Sequence, residues 1–257
     1  IYARPELAGA DPAAAVERLR DQNLALQQER RALLVQHGFA PDYLDERPAC
    51  AACGDSGYVG AEPCDCLKKR YAARLTRELS TILPIGDQNF EAFRLDYYSD
   101  VPDSRLGMSA RENMEYNLSV CRAYADTFSP QAKNLLLYGS TGLGKTFLSS
   151  CIAGVVSRKG YSVAYDTAIR IFGSYESVKF TAPDAAEAAR RVRKYEQSDL
   201  LIVDDLGTEM ATSFTVSAFY GLLAGRLMRR GPMIVSTNLL PAEFEPRYSP
   251  AIASRLT

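Results

Sequence analysis

The period of the hydrophobic pattern changes along the chain, and each change marks out an element. Residues 11–37 are mostly polar with Leu19, Leu26 and Leu33 at every seventh position. That predicts a helix with Asp11 as its cap and Pro12 in its first turn, ended by His37-Gly38. The partner positions of this seam are Asn23 and Arg30, so the leucines suit either a short coiled coil or an arm laid on the protein's own body, the second being the expectation. Further helices are predicted over 67–80 and 107–128. From residue 135 the pattern becomes short apolar runs: Leu135-Leu136-Leu137-Tyr138, Ser162-Val163-Ala164-Tyr165, Leu200-Leu201-Ile202-Val203 and Met233-Ile234-Val235-Ser236-Thr237-Asn238. Runs of this length read as strands buried on both faces. A mostly helical stretch, 167–198, separates the second from the third. The alternation predicts an α/β fold with a parallel sheet flanked by helices.

Composition then narrows the classes. The 257 residues are 47% hydrophobic and 24% charged, with a net charge of −1. Nothing pulls the whole molecule toward nucleic acid, so such contact must come from local patches. No apolar run approaches the roughly 18 residues of a membrane-spanning helix. A signal-peptide pattern is also missing, which is weak evidence in a chain that begins at Ile1.

The first chemistry lies between the first apolar run and the helix after it. Gly139-Ser140-Thr141-Gly142-Leu143-Gly144-Lys145-Thr146 follows a strand and leads into Phe147-Leu148-Ser149, the context a phosphate loop requires. Glycines let the backbone turn sharply and aim its N–H groups inward, and the helix N-terminus adds partial positive charge. Lys145 can reach the β- and γ-phosphates, and the Thr146 hydroxyl can ligate Mg²⁺. A nucleoside triphosphate, ATP with its product ADP, is the expected ligand. Asp204 and Asp205 end the third strand, where α/β sheets place ligands. Asp204 is expected to hold Mg²⁺ through its water shell. Asp205 is either the general base or a second partner of the metal. Glu209 is either a further site acid or a solvated loop carboxylate. Asn238, at the end of the fourth strand, can sense the terminal phosphate or orient the attacking water.

A second cluster precedes all of this. Cys50 and Cys53 form a Cys-x-x-Cys knuckle and Cys64 and Cys66 a Cys-x-Cys pair, with Gly54, Gly57 and Gly60 around Tyr58-Val59 suiting a short hairpin. Four thiolates in two close pairs can close a tetrahedral Zn²⁺ site, the expected reading, with a disulfide pair or a redox dithiol as the disfavoured alternatives; a closed four-sulfur site would fold its module and not catalyse. Thiols and a phosphate loop together suit a reducing, cytoplasmic setting. Cys121 and Cys151 read as small buried apolar residues. Lys68-Lys69-Arg70, Arg74 and Arg77 read as a solvated basic face, with DNA contact the lesser alternative. Phe90, Phe93, Tyr97 and Tyr98 are expected to pack on the core, lining a base pocket being the alternative.

GSTGLGKT, LLIVDDLGTE and IVSTNL, in this order and spacing, resemble the AAA+ ATPases of the bacterial DnaC/DnaI helicase-loader group and the related IstB transposition helpers. NFEAFRLDYYSD and CAACGDSGYVGAEPCDCLKKRY resemble the DnaI-like loaders in particular, whose N-terminal module binds zinc. The resemblance covers about 48–257. It implies an AAA+ phosphate-loop core preceded by a small helical and zinc-binding module. Residues 1–80 would form that helicase-interacting module, 81–100 a linker and 101–257 the ATPase domain. A fifth strand and a helical lid with a second sensor would lie beyond Thr257.

The resemblance puts Asn238 at the sensor-1 position. Asp205 stands where many AAA+ proteins carry Glu, which implies slow hydrolysis. The family's arginine finger, which reaches a neighbouring subunit's γ-phosphate, matches Arg255, with Arg247 as second choice. Hydrolysis would then need self-association through the ATPase domain. The segment after the second strand would bind single-stranded DNA, with Arg170, Tyr175 and Lys179 as candidates. The function implied is an ATPase that loads or remodels the replicative DNA helicase on single-stranded DNA. The main alternative is an IstB-like transposition helper binding DNA and a transposase. A small-molecule kinase fits the loop but not the Asp-Asp and Ser-Thr-Asn strand ends, and a nucleotide-gated adaptor with negligible turnover is a further reading.

Overall fold

A computed structural model describes residues 12–45, 48–104 and 107–256, and Asp11, the expected helix cap, lies outside them. It contains two compact units, 1–59 and 60–257. In the first, α1 runs over Pro12–Gln36 and the chain turns away at Gly38, φ 78°, a left-handed position that glycine adopts without strain. Leu19, Leu26 and Leu33 are each at least half exposed. One leucine per two turns, interrupted by Asn23 and Arg30, is too narrow an apolar stripe to hold a helix down. The C-terminal end of α1 is engaged instead. Leu33, Leu34, Phe39 and Leu44 line a small apolar hollow, and Arg30 pairs with Asp45. Tyr58–Val59 (β1) and Glu62–Pro63 (β2) form the expected two-stranded hairpin.

The second unit holds α2 (Asp65–Ser80), α3 (Ala110–Asp126), β3 (Leu135–Tyr138), α4 (Lys145–Arg158), β4 (Val163–Thr167), α5 (Ala168–Lys179), α6 (Ala185–Gln197), β5 (Leu200–Leu206), α7 (Ser213–Met228), β6 (Met233–Thr237), and the short α8 (Phe244–Arg247) and α9 (Pro250–Leu256). Helix α3 starts three residues later than expected, where Ser109 and Glu112 close a capping box by bonding each other's backbone N–H at 3.1 and 2.7 Å. The stretch 167–198 divides into α5 and α6 because Thr181 takes φ 50° and Pro183 cannot continue a helix. Helix α2 lies on α4, with the Thr76 and Ser157 hydroxyls 3.2 Å apart.

The four long strands are parallel in the order β3-β6-β5-β4. Alternation along them divides the core into two layers. Leu200, Ile202 and Ile234 face Ile152, Ala153 and Val156 of α4, and the same layer takes in Leu83, Ile85 and Phe90 from the segment before α3. Leu201, Val203, Met233 and Val235 face Ile171, Phe172, Phe219, Leu223 and Phe244. Cys121 and Cys151 are fully buried in the first layer, where loss of water pushes their thiols up to about 11 and about 12.

One basic residue, near the C-terminal end of α7, is buried. Arg226 is 1% exposed. Its guanidinium donates to the carbonyls of Tyr195 at 2.8 Å, Ser198 at 3.0 Å and Pro232 at 2.8 Å. It thereby closes the C-terminal end of α6, whose last carbonyls have no donors within the helix. Burial, with nearby Arg229, lowers its pKa to about 10.

Candidate nucleotide-binding site

The loop Gly139–Gly144 joins the end of β3 to the start of α4 at the carboxyl edge of the sheet. Gly139, Gly142 and Gly144 have φ of 140°, 80° and 82°, values that L side chains rarely adopt. At Gly144 space is short as well, since a Cβ would lie 3.0 Å from the Tyr98 hydroxyl and 3.3 Å from the Phe93 ring. Lys145 Nζ donates to the carbonyls of Gly139 and Ser140, each at 2.8 Å, and to Asn238 Oδ1 at 2.7 Å. Lys145 and Asn238 therefore meet, although 93 residues separate them.

The acid pair is held by hydroxyls. Asp204 is 2% exposed and accepts from Thr146 Oγ1 at 3.2 and 3.0 Å, from Tyr165 Oη at 2.5 Å, and from Ser236 Oγ. In a regular strand Asp205 would face the opposite side of the sheet from Asp204. The β5–β6 ladder breaks register between Val203 and Leu206, and within the break Asp205 takes φ 53°. Such a bulge re-aims a side chain. The Asp205 N–H donates to Ser236 Oγ at 3.0 Å, so one buried hydroxyl serves both acids. Burial lowers the Lys145 pKa against the pull of Asp205 and Asp204. Burial and then Asp204 raise the Asp205 carboxyl, against Lys145. Two carboxylates and an ammonium thus share one small volume. A hydroxyl beside a carboxylate at the carboxyl end of a strand is a donor set that fits Mg²⁺.

A cleft of about 300 Å³ opens beside the loop, lined by Phe93, Arg94, Tyr97, Tyr98, Gly142, Gly144 and Phe147. Phe90 packs in the core as expected. Phe93 and Tyr98 also pack against that core, where Phe93 meets Phe147 edge-on at 5.4 Å and Tyr98 donates to the Leu143 carbonyl at 3.2 Å; Tyr97 departs from the expectation and is 77% exposed. Flat rings around a phosphate loop suit a nucleotide base.

The sequence profile of the IstB-like ATP-binding proteins matches residues 117–252, more than half of the chain. The chain belongs to that family. Its relatives include an insertion-sequence ATP-binding protein of Mycobacterium tuberculosis, 24% identical over 221 residues, 84% of this chain and 80% of that protein. The replicative helicase loader DnaI of Bacillus subtilis is 26% identical over 152 residues, 58% of this chain. That alignment spans 45% of DnaI, so the chain covers under half of the loader's length. Among solved structures, the DnaC helicase loader superposes with a TM-score of 0.53 at 18% identity over 67% of this chain and 93% of that one. Domain III of the Thermotoga maritima replication initiation protein DnaA gives 0.50 at 18% identity, over 66% and 64%. At these identities the likeness establishes the fold, an AAA+ phosphate-loop core.

Other predicted residues of this IstB-like protein fall elsewhere. Glu209 is 6% exposed and accepts from the Gly207 N–H at 2.9 Å and from the Tyr248 hydroxyl. It is neither a solvated loop acid nor bonded to the phosphate loop, because those two donors satisfy it. Arg247, the second-choice finger, donates to the Gly207 and Glu209 carbonyls at 2.6 Å each. It braces the turn after β5 and is not free to reach a neighbour. Arg255 donates to the Ala251 carbonyl at 2.6 Å and lies over the Tyr220 ring, 4.9 Å from its centroid. Among the described residues it has no contact with its own chain's phosphate loop.

The DNA candidates also separate. Tyr175 packs against the second core layer and donates to Glu196 at 3.1 Å, which removes its ring from stacking. Arg170 pairs with Asp166 at 3.3 Å. Lys179 stays exposed above the Phe214 ring at 5.1 Å, beside Phe180, which is 64% exposed.

The Sγ atoms of Cys50, Cys53, Cys64 and Cys66 lie within 4.8 Å of one another. Tetrahedral zinc with bonds near 2.3 Å spaces its sulfurs by about 3.8 Å, so the cluster fits the metal after a small contraction. Asp55, at φ 63°, accepts from the Ala49 and Cys50 N–H groups at 2.9 Å each and holds the first knuckle in shape. No helix among the described residues is long and apolar enough to cross a membrane.

Sequence reasoning missed Tyr165 and Ser236. The signal was available in part: Ile202 and Asp204, and Ile234 and Ser236, are two residues apart on their strands and so share a face.

Proposed function

We propose that this IstB-like protein hydrolyses ATP to load or remodel the replicative DNA helicase on single-stranded DNA. The observation that carries hydrolysis is the meeting of Lys145, Asn238, Thr146 and the bulged acid pair Asp204–Asp205 at one end of the sheet. Thr146 and Asp204 would hold Mg²⁺, which when bound offsets phosphate charge. Lys145 and Asn238 bind oxygens of the terminal phosphate. Asp205 accepts a proton from the attacking water and orients it along the line of attack. The bridging oxygen to the β-phosphate leaves with the electron pair. The ring-lined cleft at Phe93 and Tyr98 takes the base.

Arg255 serves as the finger for a neighbouring subunit, so hydrolysis requires self-association. Mixing a Lys145→Ala protein with an Arg255→Ala protein then restores part of the activity that each lacks alone. No restoration at any ratio would remove the finger assignment. Lys179 and Phe180 are the contacts best placed for the DNA strand, through charge and stacking.

The cysteine cluster, with zinc bound in a helicase-binding module over residues 1–80, favours the loader. One observation favours the transposition helper: the insertion-sequence relative aligns with 84% of this chain, against 58% for DnaI. Capture with the tagged full chain and MgATP decides between them. Recovery of a hexameric helicase supports the loader, and recovery of a transposase in its place refutes it.

A further inference from the structure

Tyr165 is absent from every role assigned above, yet it touches the most buried acid of the site. It stands on β4 in register with Ile202, which places it on the α4 side of the sheet, two residues before the level of Asp204. Its ring is half buried in the first core layer, and its hydroxyl donates to Asp204 Oδ2 at 2.5 Å. Burial, reinforced by the Asp204 carboxylate, pushes the phenol far above its ordinary range, so the hydroxyl remains a donor.

A carboxylate swings broadly about its terminal torsion. Here Oδ1 is held by Ser236 and Oδ2 by Tyr165, and one donor on each oxygen selects one orientation. In that orientation both oxygens also receive the Thr146 hydroxyl, at 3.2 and 3.0 Å. Thr146 therefore gives its proton to Asp204, and its lone pairs remain directed elsewhere. A hydroxyl that ligates a cation needs that arrangement, because its hydrogen would repel the ion.

We propose that Tyr165 is a positioning residue for the metal half of the site: by fixing Asp204, and through it the Thr146 hydroxyl, it makes the protein prefer magnesium-bound ATP over free ATP. This rests on the reading of Gly139–Thr146 and Asp204 as an Mg²⁺·ATP site. Ser236 alone would leave Oδ2 with Thr146 as its single donor, and the carboxylate would be free to turn.

The test is Tyr165→Phe, which keeps the packed ring and removes the hydroxyl. Affinity for a fluorescent ATP analogue is measured with saturating Mg²⁺ and again in EDTA, alongside the melting temperature. In the wild type Mg²⁺ raises the affinity. In Tyr165→Phe that gain falls about tenfold, the size of one hydrogen bond to a charged group, while the metal-free affinity and the melting temperature stay as they were. Equal loss with and without Mg²⁺ would mean that Tyr165 merely supports the fold and would overturn the proposal, as would an unchanged gain. A double-mutant cycle adds a second check: in an Asp204→Asn background the Tyr165→Phe change has no further effect on the Mg²⁺ gain, and a persisting tenfold effect refutes action through Asp204. A wild type that binds the analogue without any Mg²⁺ gain, or does not bind it, overturns the underlying site reading, a result distinct from a variant that behaves as wild type.

Discussion

Gly144→Ala tests the phosphate loop where two constraints coincide. An L-residue at φ 82° costs about 1–2 kcal/mol relative to glycine. The new methyl would also meet the Tyr98 hydroxyl at 3.0 Å. Displacing that hydroxyl breaks its 3.2 Å bond to the Leu143 carbonyl, worth about 1 kcal/mol. The sum is about 2–3 kcal/mol, and where it shows depends on the loop. If the free loop relaxes, ATP must restore the strained shape, and affinity falls about 30- to 150-fold. If packing holds the loop in place, the same energy lowers the melting temperature by about 4–12 °C. Gly142→Ala is the control: φ is 80° there, but nothing lies within 4 Å of an added Cβ, so the backbone term of about 1–2 kcal/mol acts alone. Titration with a fluorescent ATP analogue and a thermal scan measure both parts. Equal effects at 142 and 144 would show that the wall of Phe93 and Tyr98 does not press on the loop. No effect of Gly144→Ala in either assay would refute the described conformation.

Three further outcomes are expected. Arg226→Met leaves the carbonyls of Tyr195, Ser198 and Pro232 without their donor and should cost about 3–5 kcal/mol, lowering the melting temperature by roughly 10 °C; a drop under about 2 °C would show that the buried guanidinium is dispensable. Asp205→Asn should bind MgATP and fail to hydrolyse it. Because the folded-state pKa of Asp205 is raised, its ionised form subtracts stability above that pKa, and the penalty vanishes as pH falls toward the ordinary carboxylate range. The Asn variant should therefore melt higher than wild type at pH 8, with the gap closing on acidification, and a variant melting lower at pH 8 reverses the sign. By the same shift the acid limb of wild-type hydrolysis lies above the ordinary carboxylate range. Metal analysis should find one zinc per chain, lost with Cys64→Ser; a content far below one argues against the four-thiol site formed by Cys50, Cys53, Cys64 and Cys66.

The sequence by itself determined the parts whose signals are local. Short continuous apolar runs bounded by polar residues made the four strands legible. The spacing of glycines before Lys145 and Thr146 showed the phosphate loop, because positive φ and a helix start are written into adjacent residues. The paired cysteines were legible for the same reason. Tertiary structure alone decided what crosses the sheet. Tyr165 meets Asp204 across 39 residues because β4 pairs with β5 in that register, and Asn238 reaches Lys145 because β6 lies between β3 and β5 and not in the order of synthesis. The bulge that turns Asp205 toward Lys145 is a register break between two strands, which no single strand encodes. Burial likewise depends on the assembled layers. It took Arg226 and Glu209, two charged groups, and made them internal hydrogen-bond partners, while Leu19, Leu26 and Leu33 stayed exposed. Charge and hydrophobicity bias where a residue goes, but whether a donor, an acceptor or an apolar partner waits there is settled only when distant segments meet.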